Sequence, residues 1–250
     1  AYSTVFRALY NALIPTVLKR ASIIITVSES ERRAIIQSYP RISRNRIVAI
    51  QNGASTIQDE EVAPRAARQR KCLYVGSLTK RKNASGILAA AIDLARNHDV
   101  TFTFVGAGGP SFEGVEIPIP DDVSASIHFL GQVNDQVRLA KEYESAAVFL
   151  FPSFYEASPL PPTEAMAHGC PVVASDIPSL RERCKDAARY HHPADVDGLV
   201  GSVVDLMDDD EAWLQAQRRG LRVSSSYSWL GQARRIVSIV KQHAAQEANL

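Results

Sequence analysis

The stretch "AVFLFPSFYEASPLPPTEAMAHGCPVVASD" (147–176) decides the fold. "AVFLFPS" is an unbroken apolar run of strand length. "PTEAMAHG" reads as a short helix with proline in its first turn and Gly169 as its stop, and "PVVASD" is a second strand-like run. Strand, helix and strand in so short a span imply parallel pairing through a right-handed crossover. Apolar runs without polar alternation suit strands covered on both faces. Within the stretch, Glu156 and Glu164 stand eight positions apart.

Outward from it the same alternation continues. Upstream, "SIIITVS" (22–28) and "RIVAIQNG" (46–53) read as strands, with Ser28 capping the helix "ESERRAIIQSY" between them. The polar stretch 54–70 lacks apolar periodicity and carries Pro64, which marks a linker and domain boundary. Then follow strand "KCLYVGSL", a helix with an apolar face at Ile87, Leu88, Ala91 and Leu94, strand "VTFTFVGAGG", strand "SIHFLGQV" and helix "DQVRLAKEYESA". After the opening stretch, 195–221 is helical and "SWLGQARRIVSIVKQHAAQEA" closes the chain. The class is α/β, a Rossmann-like parallel sheet with flanking helices.

The bulk numbers exclude other classes. A net charge of +1 over 250 residues, with no Lys/Arg-rich block, argues against nucleic acid. Cys72, Cys170 and Cys184 form no CxxC pair, so neither a disulfide framework nor a zinc site is expected, and free thiols in a reducing cytoplasm are the simplest reading. No run is long enough to span a membrane. The opening segment has neither an initiator Met nor a signal-peptide layout; Val5, Phe6, Leu9, Tyr10, Leu13 and Leu18 form an apolar helical stripe, read as a core or domain-packing helix in preference to a membrane-surface one because Pro15 interrupts it and few cations flank it.

Ligands of such sheets bind outside the carboxyl ends of the strands. That rule selects 76–82, 106–110, 131–133, 152–156 and 175–176. In "GSLTKRKN" (76–83), Gly76 permits close backbone approach, and Lys80, Arg81 and Lys82 supply cations where a helix begins, a natural anion site. The same residues also read as solvated loop cations. "GAGGP" (106–110) is not a dinucleotide fingerprint, and a tight turn accounts for it. Glu156 emerges at the end of a strand and Glu164 in the first turn of the next helix, so the two carboxylates can converge on one ligand and accept hydroxyl hydrogen bonds. Alternatively Glu164 merely complements the helix dipole, worth about 0.3–1 kcal/mol.

"FPSFYEASPLPPTEAMAHGCPVVASD" resembles the donor-site signature of retaining nucleotide-sugar glycosyltransferases of family 4, which have the GT-B fold. "ASIIITVSESERRAII", "RIVAIQNG", "LYVGSLTKRKN", "FTFVGAGG", "IHFLGQV" and "DAARYHHP" resemble further segments of that family in the same order. The resemblance implies that Arg81 and Lys82, with Gly76, bind the donor diphosphate. It implies that Glu164 holds the ribose hydroxyls and that Glu156 contacts the donor sugar near the reacting centre. The loop Ala157, Ser158, Pro159 and Leu160, with the N-terminus of the short helix, would face the sugar or phosphates, and Gly106, Gly131 and Val133 are candidates for base contacts. Two departures stand out: Ala157-Ser158-Pro159 replaces the Gly-Phe-Gly common in the family, removing a backbone donor at Pro159, and Ser77 stands where many members have Arg.

The resemblance further implies a domain plan: 1–57 as the end of an acceptor-side domain, 58–70 as linker, 71–226 as the nucleotide-sugar domain and 227–250 as a helix packing back. About fifty residues precede the linker, so the expectation is a fragment or one half of a split enzyme whose other half is a separate chain. The expected reaction is transfer of a sugar, mannose from its GDP donor as first guess, to a saccharide or lipid-linked acceptor in polysaccharide or glycolipid biosynthesis. The expected place is the cytoplasm or the inner face of its membrane, with peripheral membrane association allowed. The rival is a nucleotide-binding fragment or silent subunit without transfer. No cofactor or metal is expected: His191-His192 read as a surface loop, "DDDE" (208–211) as a helix end or solvated turn, and His168 as structural.

Overall fold

The computed structural model describes residues 4–54, 62–106 and 118–247, and divides into two units, Ala1–Gly53 with Trp229–Leu250, and Ala54–Ser228. Residues 55–61 of the expected linker and 107–110 of the glycine-rich run lie outside the described residues.

The smaller unit opens with α1 (Thr4–Arg20), followed by β1 (Ile24–Thr26), α2 (Glu29–Ser38) and β2 (Ile47–Ala49). The two strands pair in parallel, Ile24 beside Ile47. Ser28 caps α2 as expected, its hydroxyl accepting from Glu31 N at 3.2 Å. The guanidinium of Arg46 donates to the carbonyls of Leu18, Lys19 and Ser22, satisfying the orphan acceptors at the end of α1. The expectation that α1 buries its apolar stripe fails for Leu9, Tyr10 and Leu13, which are exposed; Leu18 alone of the described stripe residues packs on the core of Ile24, Ile42 and Ile47.

The larger unit holds six strands: β3 (Gln69–Val75), β4 (Thr101–Val105), β5 (Ile127–Phe129), β6 (Ala146–Phe151), β7 (Val172–Ser175) and β8 (Ala188–His191). All are parallel, in the order β5-β4-β3-β6-β7-β8. β3 begins inside the stretch 58–70 read as linker. Chain progress runs outward in both directions from the β3–β6 pair, so this pair is the topological switch point where open α/β sheets form a ligand crevice. Every residue of β6 is fully buried, which explains its unbroken apolar sequence.

Crossovers are α3 (Ala84–His98), α4 (Gln136–Ser145), α5 (Pro161–Ala167) and α6 (Pro178–Cys184), followed by α7 (Val196–Asp208) and α8 (Asp210–Ser224). Ile87, Leu88, Ala91 and Leu94 of α3 are buried, as its periodicity predicts. Arg68, just before β3, is buried too. It donates to the carbonyls of Ala63, Tyr143, Ala146 and His168 and lies over the Trp213 ring. One guanidinium thereby ties the C-terminal ends of α4 and α5 to the entry of the central strand.

The chain ends in α9 (Trp229–Glu247), which belongs to the smaller unit. There Gln232 donates to Asn52 Oδ1 at 2.9 Å and accepts from Gly53 N at 3.4 Å. Ile236 and Ile239 are half-buried, whereas Trp229 and Val240 are exposed.

Candidate functional site

The strand ends beside the switch point carry three glycines in register. Gly76 N donates to Val105 O and Gly106 N to Gly131 O, both at 2.8 Å. A Cβ on Gly106, at φ +147°, would run into the Gly76 carbonyl, so only glycine fits there. One on Gly76 would lie 2.8 Å from the Tyr74 hydroxyl and 3.2 Å from Lys82 Nζ. Gly131 faces open space, and Val133 packs its side chain on the core, leaving its backbone for any ligand contact.

After Gly76 the chain makes a single 3-10 turn, Lys80–Lys82, whose N–H at Lys82 is accepted by Thr79 Oγ1 at 3.4 Å. Asn83 then adopts the left-handed conformation, caps α3 through Gly86 N and donates to Pro193 O at 2.6 Å. This local fold pushes Arg81 outward and turns Lys82 inward. Arg81 meets the loop after β6 twice, accepting from Phe154 N at 3.0 Å and donating to Tyr155 O at 2.8 Å.

Glu156 closes the arrangement. Its carboxylate is 3.1 Å from Arg81 Nη1 and 3.4 Å from Lys82 Nζ, while Lys82 also lies 5.1 Å from the centre of the Phe151 ring. Glu156 is 8 % exposed, so this is a buried carboxylate held by two cations. Its Oε1 nevertheless lacks a hydrogen bond, as do the fully buried Ser153 Oγ and Ser175 Oγ at the ends of β6 and β7. Burial, then the Glu156 charge, pushes the Tyr74 hydroxyl well up, against a smaller opposing effect of Arg81. Tyr74 therefore stays a neutral donor, to Ser77 O at 2.9 Å.

Between the two glutamates, Pro159 is buried and Ala157, Ser158 and Leu160 are half-buried. α5 begins with Pro161 and Pro162, which have no N–H, and the N–H groups of Thr163 and Glu164 both go to Leu160 O at 2.9 and 3.0 Å. Pro161 through Glu164 therefore offer no free N–H toward a phosphate, which leaves the N–H of Leu160, the N-cap, as the backbone donor at the start of α5.

Glu164 is half-buried. Its Oε2 accepts from the Tyr143 hydroxyl of α4 at 2.9 Å. The neighbouring Thr163 hydroxyl accepts from the buried Arg183 at 2.6 Å, and that guanidinium lies 4.0 Å from the centre of the Tyr227 ring. Ser153 and Ser175 fall in the strand ends that the sequence selects, whereas Tyr143 and Arg183 carry no sequence signal of their own: they come from helices that only the sheet brings to this edge.

Rival signals resolve as follows. His191 is not in a surface loop but ends β8, with Nε2 2.7 Å from Ser202 Oγ and Nδ1 3.5 Å from Asp195. β8 is an edge strand of half-buried polar residues, so it lacks the apolar run that marks the others. Within "DDDE", Asp208 ends α7 and Asp209 caps α8, a helix-end role. His168 pairs with Glu144 at 3.1 Å and stacks on Tyr143. Among the described residues no cluster of three or more His, Cys, Asp or Glu side chains could hold a metal. Among the same residues, no helix is long and apolar enough to cross a membrane.

Comparison with known proteins bears on the family and the fold. The family profile described as "Glycosyl transferases group 1" matches residues 69–209. The chain is 32 % identical over 238 residues to the O-antigen chain mannosyltransferase B of Escherichia coli, covering 85 % of this chain and 58 % of that protein. It is 28 % identical to the MMP alpha-(1->4)-mannosyltransferase of Mycolicibacterium hassiacum, covering 90 % and 55 %. The chain thus spans about half the length of the curated relatives it matches. Anabaena Alr3699/HepE, solved with UDP-glucose, superposes with a TM-score of 0.76 at 16 % identity, covering 94 % of this chain and 68 % of that one. Staphylococcus aureus TarM, solved with UDP, superposes with a TM-score of 0.77 at 16 % identity, covering 91 % and 45 %. At those identities the two structures show a shared fold.

Proposed function

The chain belongs to the glycosyl transferases group 1 family, and from that premise we propose that it forms the donor-binding part of a retaining hexosyltransferase. The observation that carries the reading is the Arg81–Lys82–Glu156 cluster at the switch point of the parallel sheet. A nucleotide-diphosphate sugar brings concentrated negative charge and a polyol, which two cations and a carboxylate respectively complement.

In this reading the bond between the anomeric carbon and the diphosphate oxygen breaks with the electron pair leaving on the diphosphate, while the acceptor hydroxyl oxygen bonds to the same carbon from the same face and its proton passes to the departing diphosphate. Arg81 and Lys82 stabilise that departing charge, and electrostatic stabilisation is the main catalytic contribution. Glu156, released from its cations as the diphosphate takes them, orients the sugar and faces the positive charge growing at its anomeric carbon. Glu164 accepts the ribose hydroxyls. Gly76 lets the diphosphate approach the backbone, and Gly106, Gly131 and Val133 offer backbone to the base. The reading needs no metal, because side-chain cations meet the phosphate charge.

Mannose from its GDP donor is the proposed sugar, supported by two relatives named for mannosyl transfer. The proposed acceptor is a saccharide or lipid-linked saccharide at the cytoplasmic face of a membrane, supported by the relative named for O-antigen chains. Residues 1–57 are proposed as the end of the acceptor-side domain and 71–226 as the donor domain, with the remainder of the acceptor side supplied by further chain or a partner.

A thermal-shift panel of UDP, GDP and ADP tests donor binding. The expected result is a raised melting temperature for one base that is lost in Lys82→Ala. No shift with any nucleotide, or an unchanged shift in that variant, overturns the assignment. Transfer from GDP-mannose by the whole gene product then separates an enzyme from a silent binder.

A further inference from the structure

The hydroxyl of Tyr143 is the described hydrogen-bond donor to Glu164, at 2.9 Å from Oε2. Tyr143 is 1 % exposed, and its ring is clamped on two sides: by His168, stacked at 5.5 Å, and by Phe149 at 5.7 Å. Its backbone is also fixed, because Arg68 Nη1 donates to the Tyr143 carbonyl at 2.9 Å. A donor so constrained leaves the Glu164 carboxylate one orientation for Oε2, and with it a set direction for Oε1.

We infer that Tyr143 is the positioning residue that aims Glu164 at the ribose hydroxyls and so sets discrimination between ribo- and deoxyribonucleotides. The inference rests on the reading of Glu164 as the ribose contact. A carboxylate free to rotate spends part of its time turned away from a hydroxyl pair, whereas one pinned through Oε2 presents Oε1 continuously. The hydroxyl is suited to the task, since burial and the adjacent Glu164 hold it neutral and therefore donating at any working pH. Tyr143 touches no substrate in this scheme and acts only through Glu164. Its lever reaches from the α4 side of the sheet to the ligand edge, which is why no motif around Glu164 contains it.

The test uses this chain with UDP, GDP and their 2′-deoxy forms, taking the base the protein prefers and measuring the deoxy-to-ribo ratio of dissociation constants. Wild type, Glu164→Gln and Tyr143→Phe are compared; the Phe variant keeps the ring and removes only the hydroxyl. The expected result is a wild-type ratio well above one that falls about three- to tenfold in Glu164→Gln and by a similar factor in Tyr143→Phe, the scale of one net hydrogen bond. A general loss of stability in Tyr143→Phe would weaken both ligands alike and leave the ratio at its wild-type value. A fall in Glu164→Gln without a fall in Tyr143→Phe overturns the positioning role and leaves the ribose reading standing. No nucleotide binding, a wild-type ratio near one, or no change in Glu164→Gln overturns the ribose reading and the inference with it.

Discussion

Arg81 places Nη1 3.1 Å from Glu156 Oε2, joining the residue assigned to the diphosphate with the residue assigned to the sugar in one ion pair. Lys82 stands 3.4 Å from the other oxygen of the same carboxylate. On the proposed assignment, the donor displaces a resident anion before its own phosphates reach the cations.

Competition of that kind predicts an inverted mutant. Glu156→Gln removes the resident charge while keeping shape, so UDP or GDP binds this chain about three- to tenfold more tightly, the scale of one net hydrogen bond. Transfer by the whole protein falls in the same variant. Isothermal titration checks the first part, and an affinity equal to or weaker than wild type would show that Glu156 does not compete for the cations.

Arg68 predicts a loss of stability far from any ligand. Its four carbonyl partners lose their donor in Arg68→Met, and buried acceptors left unsatisfied cost about 1–3 kcal/mol each before relaxation and water entry. A net destabilisation of about 3–5 kcal/mol is expected, read as a lower urea midpoint. Arg96→Ala, which breaks an exposed pair with Asp122, leaves that midpoint unchanged.

The glycines at the strand ends are expected to separate. Gly106→Ala drives a methyl group into the Gly76 carbonyl at a positive φ, and thermal unfolding should fall steeply. Gly131→Ala meets open space and carries only the left-handed backbone penalty, about 1–2 kcal/mol. Equal losses in both variants would mean that close packing of the β3 and β4 ends is not what selects Gly106.

Cys72, Cys170 and Cys184 are buried and free. Burial pushes Cys170 and Cys184 each up to about 12 and raises Cys72 well above its usual 9.0. Thiols whose folded values exceed their unfolded ones contribute stability that is fully present below the unfolded value. As pH rises past about 9 the unfolded chain releases protons that the folded one keeps, and stability falls until the folded thiols ionise near 12. Urea midpoints from pH 7 to 11 should be flat and then decline. A thiol reagent at pH 8 should react only after denaturation, and fast labelling of the native chain would contradict the burial.

How far the fold could be read varies with burial. The strands β6 and β7 are buried at every residue and were legible as largely apolar runs, and β3 and β4 through their buried segments Cys72–Tyr74 and Phe102–Val105. Ser28 was legible as a cap for a purely local reason, one side chain and one N–H three residues away. β8 was not, since an edge strand of half-buried Ala, Arg, Tyr and His has no such run, and α6 is a short helix without a clear apolar period. The stripe on α1 was legible as a helix, but periodicity says which residues share a face and not whether anything covers it.

The sequence by itself determined the alternating α/β architecture, the strand ends at which chemistry could sit, and Arg81, Lys82, Glu156 and Glu164 as candidates, because these follow from local patterning and a general rule of parallel sheets. Only the tertiary structure decided that the first three form one ion-pair cluster and that Tyr143 from α4 holds Glu164. Those relations join residues tens of positions apart through the order in which strands pair, and that order is a property of the whole sheet that no local segment encodes.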